Sequence, residues 1–239
     1  MSHTAAAFPS TRWSLVAAAR SGGARRAALE ELCRLYWPPL YAFARRAGLP
    51  RADAEDATQA FFAAILNDTT LDAASVGQGR LRTFLLAAFS RDLIDAHRRS
   101  TAQRRGGGVQ VVPLDADSVE AQVPLRDGES PESQYDHDWA VCVLRDAVNA
   151  VRRTWDEAGK VFLFDTLRVF LSPVGEPPTY ELLGAELGQS VEALRQTVAR
   201  LRQQFRTALR RIVADTLVHP TPSQVDQELK ALRAALSLS

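Results

Sequence analysis

Between Trp13 and Arg105 apolar residues return every three or four positions: Leu29, Leu32, Leu35 with Tyr36, Leu40 and Phe43; Ala57, Phe61 with Phe62, and Ile65; Phe84 with Leu85, Ala88, and Leu93 with Ile94. This is the spacing of one face of an α-helix, not the alternation of a half-buried strand. Pro38-Pro39 predicts a kink or a restart within the 29–43 segment. Pro50 stands at the start of the next helix, with Asp53, Glu55 and Asp56 in its first turns, where acids suit the positive helix end. Helical periodicity resumes at Trp139, Val143, Val148 and Val151 and continues to about Phe170. Ser172-Pro173 to Pro178 breaks it. Two short helices and a long one ending near Leu217 are expected next, and then, after Pro220 and Pro222, a last helix from Ser223 to about Leu236.

The stretch between the two periodic regions has a different character. Asp115, Asp117, Glu120, Asp127, Glu129, Glu132, Asp136 and Asp138 stand against one base, Arg126, among Pro113, Pro124, Gly128 and Pro131. It follows Gly106-Gly107-Gly108 and reads as an acidic, flexible linker, with a brief extended piece at Val109–Val112. The predicted fold is therefore all-α: a helical module at 10–105, a linker at 106–134, a second module at 135–218 and a C-terminal helical tail at 219–239. No internal repeat is visible.

Composition narrows the function. The 239 residues carry 29 basic and 28 acidic side chains, a formal charge of +1, which excludes a globally basic histone-like binder and an acidic tail. Every basic residue except Lys160 and Lys230 is arginine. A GC-rich genome yields that too, so only the position of the arginines bears on phosphate binding. Cys33 and Cys142 form no CxxC clip, and the four histidines form no HExxH. No metal or other cofactor is expected. The segment Met1–Phe8 lacks the pattern of a signal peptide, and no run reaches the roughly 20 apolar residues of a membrane span, so a reducing cytoplasm is the expected setting.

Three sites carry candidate chemistry. In the first, Thr179–Arg211, Tyr180, Leu183 and Leu187 line one helix, Gly188-Gln189-Ser190 makes a turn, and Ser190 is placed to cap a second helix. That helix has the apolar stripe Val191, Leu194, Val198, Leu201 and Phe205. Gly184 is the small residue that lets two helices approach, and Gly188 takes the turn conformation; together these specify a helix-turn-helix. Arg195, Arg200, Arg202, Arg206, Arg210 and Arg211 follow with no acid between Glu192 and Asp215. The stripe Glu192, Arg195, Gln196 and Ala199 points away from the buried one, toward base edges, while the other arginines suit phosphates. A solvated basic helix is the bland alternative.

The second site, Gly79–Arg105, sets Arg80, Arg82, Arg91, Arg98, Arg99, Arg104 and Arg105 against Asp92 and Asp95, with Phe84 and Phe89 interleaved. Basic groups with aromatics suit a partly single-stranded nucleic acid; a core helix with a basic back has the same sequence. The loop Val76–Arg82, with Gly77 and Gly79, is a candidate for capturing an unpaired base, with Arg80 and Arg82 on phosphates and Asp92 or His97 near the base or strand. The third site, Asp53 to Phe62, puts Asp53 and Asp56 on one helical face. No other ligand-type residue clusters locally, which favours an acidic docking face over a metal or acid/base pair.

In this order the sites resemble a bacterial RNA polymerase sigma factor of the extracytoplasmic-function (ECF) type. The segment LYWPPLYAFARRAGLPRADAEDATQAFFAAIL is similar to the DAED-TQ-F pattern of sigma region two. The resemblance implies that Asp53, Glu55, Asp56 and Gln59 dock on the clamp helices of core RNA polymerase. GRLRTFLLAAFSRDLIDAHRR resembles the promoter-melting and strand-recognition segment, implying DNA-binding roles for Arg80, Arg82, Asp92, His97, Arg98 and Arg99. Phe84 stands where the family often has tryptophan, and Asp92 where it often has asparagine. TYELLGAELGQSVEALRQTVARLRQQFRTALRR resembles region four, implying promoter contacts from Ser190, Glu192, Arg195, Gln196, Arg200, Arg202 and Arg206. TRWSLV and the tail TPSQVDQELKALRAAL fit a subgroup with short terminal extensions. The expected function is promoter recognition and strand opening with core polymerase and promoter DNA as partners, and no catalysis. Control by an anti-sigma protein, by a kinase acting near Thr58, or by the acidic linker folding back on basic helices stays open. A helix-turn-helix regulator acting without polymerase is the main alternative. An enzyme is poorly supported, since GxxxxGK and GxSxG are absent and Gly106–Gly108 suits a hinge better than a phosphate loop.

Overall fold

The computed structural model describes residues 25–67, 80–105, 130–171, 175–217 and 220–237. Among them lie eight α-helices: α1 (Arg25–Arg46), α2 (Arg51–Asn67), α3 (Leu81–Arg105), α4 (Pro131–Glu157), α5 (Val161–Leu167), α6 (Tyr180–Leu187), α7 (Val191–Asp215) and α8 (Pro222–Ser237). A 3-10 turn, Arg168–Leu171, follows α5. The one bridge outside helices pairs Arg80 with Leu217. The expected all-α class holds. The segment TRWSLV, the loop residues Val76–Gly79, the triple glycine at 106–108, the extended piece at Val109–Val112 and most of the acidic stretch lie outside the described residues.

Several boundaries differ from those the sequence suggests. α1 runs through Pro38 and Pro39 without a break. Each proline removes one backbone donor, but buried Leu35 and Tyr36 before the pair and Leu40 and Phe43 after it hold both halves on one core. α4 begins at Pro131, not near Trp139. Ser130 caps it, its hydroxyl accepting from the Ser133 amide at 3.2 Å, and Pro131 takes the first helical position, which needs no donor. The periodicity read as continuous to Phe170 breaks between Glu157 and Val161. One short helix, not two, precedes the long α7.

The chain divides into two compact units, 1–142 with 214–239, and 143–213. This differs from a cut at the acidic stretch: α4 and α7 each contribute residues to both units, and α8 belongs to the first. In the first unit, α1, α2 and α3 bury Leu32, Leu35, Tyr36, Leu40, Phe61, Phe62, Leu85 and Phe89. The Phe61 and Phe89 rings lie 5.0 Å apart, and Trp37 stacks on Phe62 at 5.7 Å. Tyr135 and Trp139 of α4 and Val225 and Leu232 of α8 are also buried. In the second unit, Val151, Trp155, Phe164, Leu167, Phe170, Leu183, Leu194, Val198 and Leu201 form one core. Trp155 meets Phe164 edge-on at 6.0 Å, and its indole N–H donates to Gln204 Oε1 at 2.7 Å. A buried indole needs such a partner.

Candidate nucleic-acid interface

The turn between α6 and α7 is built by four residues. Thr179 caps α6, accepting from the Leu182 amide at 3.3 Å. Gly188 ends the helix in the left-handed conformation, φ 63°, which glycine adopts without a Cβ penalty. Ser190 caps α7, its hydroxyl accepting from the Ala193 amide at 3.2 Å. Gly184 is the point of closest approach: a Cβ there would lie 2.8 Å from the carbonyl oxygen of Gln189. That same Gln189 donates its amide to Gly184 O at 3.0 Å.

α7 turns Leu194, Val198 and Leu201 inward and leaves Glu192, Arg195, Gln196, Ala199 and Arg200 exposed. Val191 and Phe205, expected in the buried stripe, are half-buried. Gln196 Nε2 donates to Glu192 Oε1 at 3.3 Å, and the Arg195 guanidinium lies 5.7 Å over the Tyr180 ring, so this outward stripe is partly preorganised. Arg206, Arg210 and Arg211 are exposed. Arg202 is also exposed, but its Nε donates to the Phe170 carbonyl at 3.3 Å and closes the end of the 3-10 turn. Elsewhere in this unit, exposed Arg152 and Asp165 pair through two hydrogen bonds, Nε to Oδ1 at 3.2 Å and Nη2 to Oδ2 at 3.1 Å. The hydrogen bond holds the Asp165 carboxyl below its ordinary range.

The α2 acids are where the sequence puts them. Asp53, Glu55, Asp56 and Gln59 are all exposed, and Ala54, Thr58, Phe61, Phe62 and Ile65 turn inward. Glu55 accepts from Arg51 Nε at 3.0 Å across one helical turn. Among the described residues no group of His, Cys, Asp or Glu could hold a metal ion. Thr58 is another matter. It is 0% exposed and its hydroxyl donates to the Ala54 carbonyl at 2.7 Å, so a kinase has no access to it in the folded helix.

At the start of α3, Arg82, expected on phosphate, lies in the interior against carboxylates. Arg82 is 4% exposed. Its Nε donates to Asp136 Oδ1 at 3.0 Å, Nη1 pairs with Glu228, and the guanidinium lies 4.6 Å over the Trp139 ring. Arg80, half-exposed, pairs with Glu228 Oε2 at 2.6 Å. Tyr135 donates its hydroxyl to the Arg82 carbonyl at 3.1 Å, and burial pushes that hydroxyl well above its ordinary pKa, so it stays a donor. Phe89 is core rather than a stacking platform, and Phe84 is half-buried. Asp92, His97 and Arg98 are exposed farther along α3. The side chain of Arg99 lies outside the described residues.

Sequence reasoning missed the acids that meet these arginines. Asp136 and Asp138, counted with the linker, sit on α4; Asp138 accepts from the buried Arg46 at 2.6 Å. Tyr135 and Trp139, four residues apart, were the available signal that the helix starts earlier. Glu228 also had a signal: it falls between Val225 and Leu232 on the apolar stripe of the last helix.

The family profile for ECF sigma factors matches residues 14–170, more than half of the chain. The chain belongs to the ECF sigma factor family. Its members are RNA polymerase-associated transcription-initiation factors, bind DNA, and are not enzymes. The match ends before α6 and α7. Comparisons with curated proteins and with solved structures found no match. No described helix of this sigma factor is long and apolar enough to cross a membrane.

Proposed function

We infer that this sigma factor docks on core RNA polymerase through the exposed face Asp53, Glu55, Asp56 and Gln59 of α2, reads promoter DNA with α7, and assists strand opening with α3. The family match over 14–170 carries the reading. The geometry of α6, the turn and α7 supports a DNA-binding helix-turn-helix beyond the match: a glycine at the closest approach, a capped second helix, and an outward face of Arg195 and Gln196 flanked by Arg200 and Arg206. On this reading residues 10–105 play the part of region two and 135–218 that of region four. On this reading Asp92, His97 and Arg98, exposed on α3, lie along the path of the strand.

The mechanism follows from charge and exposure. An exposed carboxylate face steers association with a partner of opposite charge and sets register. Arginine's planar fork gives bidentate contact to guanine edges, which carries sequence, and to phosphates, which sets position. The test is reconstitution with core polymerase, followed by transcription from genomic promoter fragments and permanganate reactivity of promoter thymines. Core binding, start-site-specific transcripts and reactive thymines are expected. Sequence-specific DNA binding without core binding would replace this reading with that of a regulator acting alone.

A further inference from the structure

The last helix carries one buried acid. Glu228 is 1% exposed, on the face of α8 that also buries Val225 and Leu232, whereas Asp226 on the same helix is exposed. A buried carboxylate requires partners. Glu228 finds Arg80 and Arg82, pairing with one through each oxygen. Two guanidiniums around one anion are also how arginine holds a phosphate. These two arginines flank Leu81, the first residue of α3, at the end where the family resemblance places contact with the melted strand.

We propose that α8 is a built-in competitor for nucleic acid: Glu228 occupies the anion position between Arg80 and Arg82, and a strand phosphate reaches that position only when α8 leaves. This rests on the strand-contact reading of α3 given above. The attachment is suited to release. α8 is 16 residues long, close to the length at which an isolated helix becomes marginal in water, and most helical stability in proteins comes from packing, so its order rests largely on docking. Its start is fixed locally, by Thr221 and Gln224 exchanging hydrogen bonds from amide to side chain in both directions. Arg82 has a second carboxylate partner in Asp136, whereas Glu228 is the one described carboxylate that pairs with Arg80, so departure of Glu228 uncovers Arg80 more than Arg82.

The test uses the full chain and a labelled mixed-sequence single-stranded DNA about 15 nucleotides long, the upper range of a single binding site. Glu228→Gln and Asp226→Asn each remove one negative charge from α8, but only the first faces the arginine pair. Glu228→Gln is expected to bind several-fold tighter. Its log–log salt slope should steepen by about 0.7 to 1.4, one to two further phosphates at roughly 0.7 each, while Asp226→Asn keeps the wild-type slope. Equal slopes for the two variants, or no binding by any chain, overturn the inference. Should Glu228→Gln lose its helical signal, amide exchange of 222–237 in the wild type decides instead: saturating single-stranded DNA should speed it, and unchanged or slower exchange overturns the proposal. Core-polymerase binding, measured in parallel on the wild type, separates the two failures. Normal core binding with equal slopes removes the competitor and leaves the sigma-factor reading in place. Absent core binding removes that reading.

Discussion

Gly184→Ala isolates what the α6–α7 turn depends on. An added Cβ would lie 2.8 Å from Gln189 O and 3.8 Å from Leu194 Cδ1. The second distance is ordinary contact, but the first is closer than nonbonded carbon and oxygen approach. The obstructing atom is backbone, in the residue whose amide binds back to Gly184 O at 3.0 Å, so it cannot move without loosening that bond. Overpacking of this kind costs about 1–3 kcal/mol. Replacing glycine by alanine within a helix returns about 0.8–1.0 kcal/mol. The backbone obstruction argues for the upper part of the first range, leaving a net destabilisation of about 1–2 kcal/mol, centred near 1.4. That is about a tenfold change in an equilibrium constant. Amide exchange in the full chain is the appropriate assay, because the two units need not melt together and a single midpoint would blur them. The slowest amides of 191–201 should exchange roughly tenfold faster in the variant. Unchanged or slower exchange would mean that the turn accommodates the Cβ at no cost and that glycine is not required where α6 meets it.

Three further outcomes are expected. Converting Asp53, Glu55 and Asp56 to their amides should slow association with core polymerase several-fold at low salt and little at high salt; the fold should be untouched, since the Arg51–Glu55 pair that is lost is exposed and such pairs are worth about 0.3–0.5 kcal/mol. Normal association at low salt refutes the docking face. Arg195→Ala should cost about 1–3 kcal/mol of promoter affinity and relax preference at one base pair, whereas Arg206→Ala should weaken all sequences alike; uniform loss for Arg195→Ala removes it from the base readout. Asp165 has its folded pKa lowered, so its pairing with Arg152 contributes at neutral pH and is lost as pH falls below about 4 through the folded value. Carboxyl titration followed by NMR should place Asp165 below its unfolded value and Arg152→Ala should raise it; titration unaffected by Arg152→Ala contradicts the assignment.

Much of the fold was legible because the helices repeat their apolar positions plainly. Leu194, Val198 and Leu201 announce the inner face of α7, and Phe61, Phe62 and Ile65 that of α2. Ser190 and Gly188 were legible for a local reason, since a cap and a left-handed turn are decided within a few residues. What escaped was long-range pairing. Arg82 and Glu228 are 146 residues apart, and nothing local distinguishes an arginine destined for phosphate from one destined for a buried carboxylate. Composition misled as well: Asp136 and Asp138 were counted with a run of acids, yet each stands on a helix and meets an arginine.

The buried pairs at α3 also bear on why an acid is kept there. Burying two charges gives up hydration that their attraction only partly restores, and a well-packed apolar pair often does as well or better. Stability alone is therefore a weak reason for Glu228 to lie against Arg80 and Arg82. A role in selection explains it better. Two arginines left bare at the start of α3 would attract any polyanion, with an affinity set by salt rather than by sequence. A carboxylate held over them by a short helix makes access conditional on displacing that helix. An incoming strand must then supply contacts elsewhere, along Asp92, His97 and Arg98 of α3 or through α7, before it gains the arginine pair. If that is the role, Glu228→Gln should narrow the gap between promoter and random DNA by raising affinity for the random sequence more than for the promoter. A gap that stays the same would leave the buried pair as scaffolding.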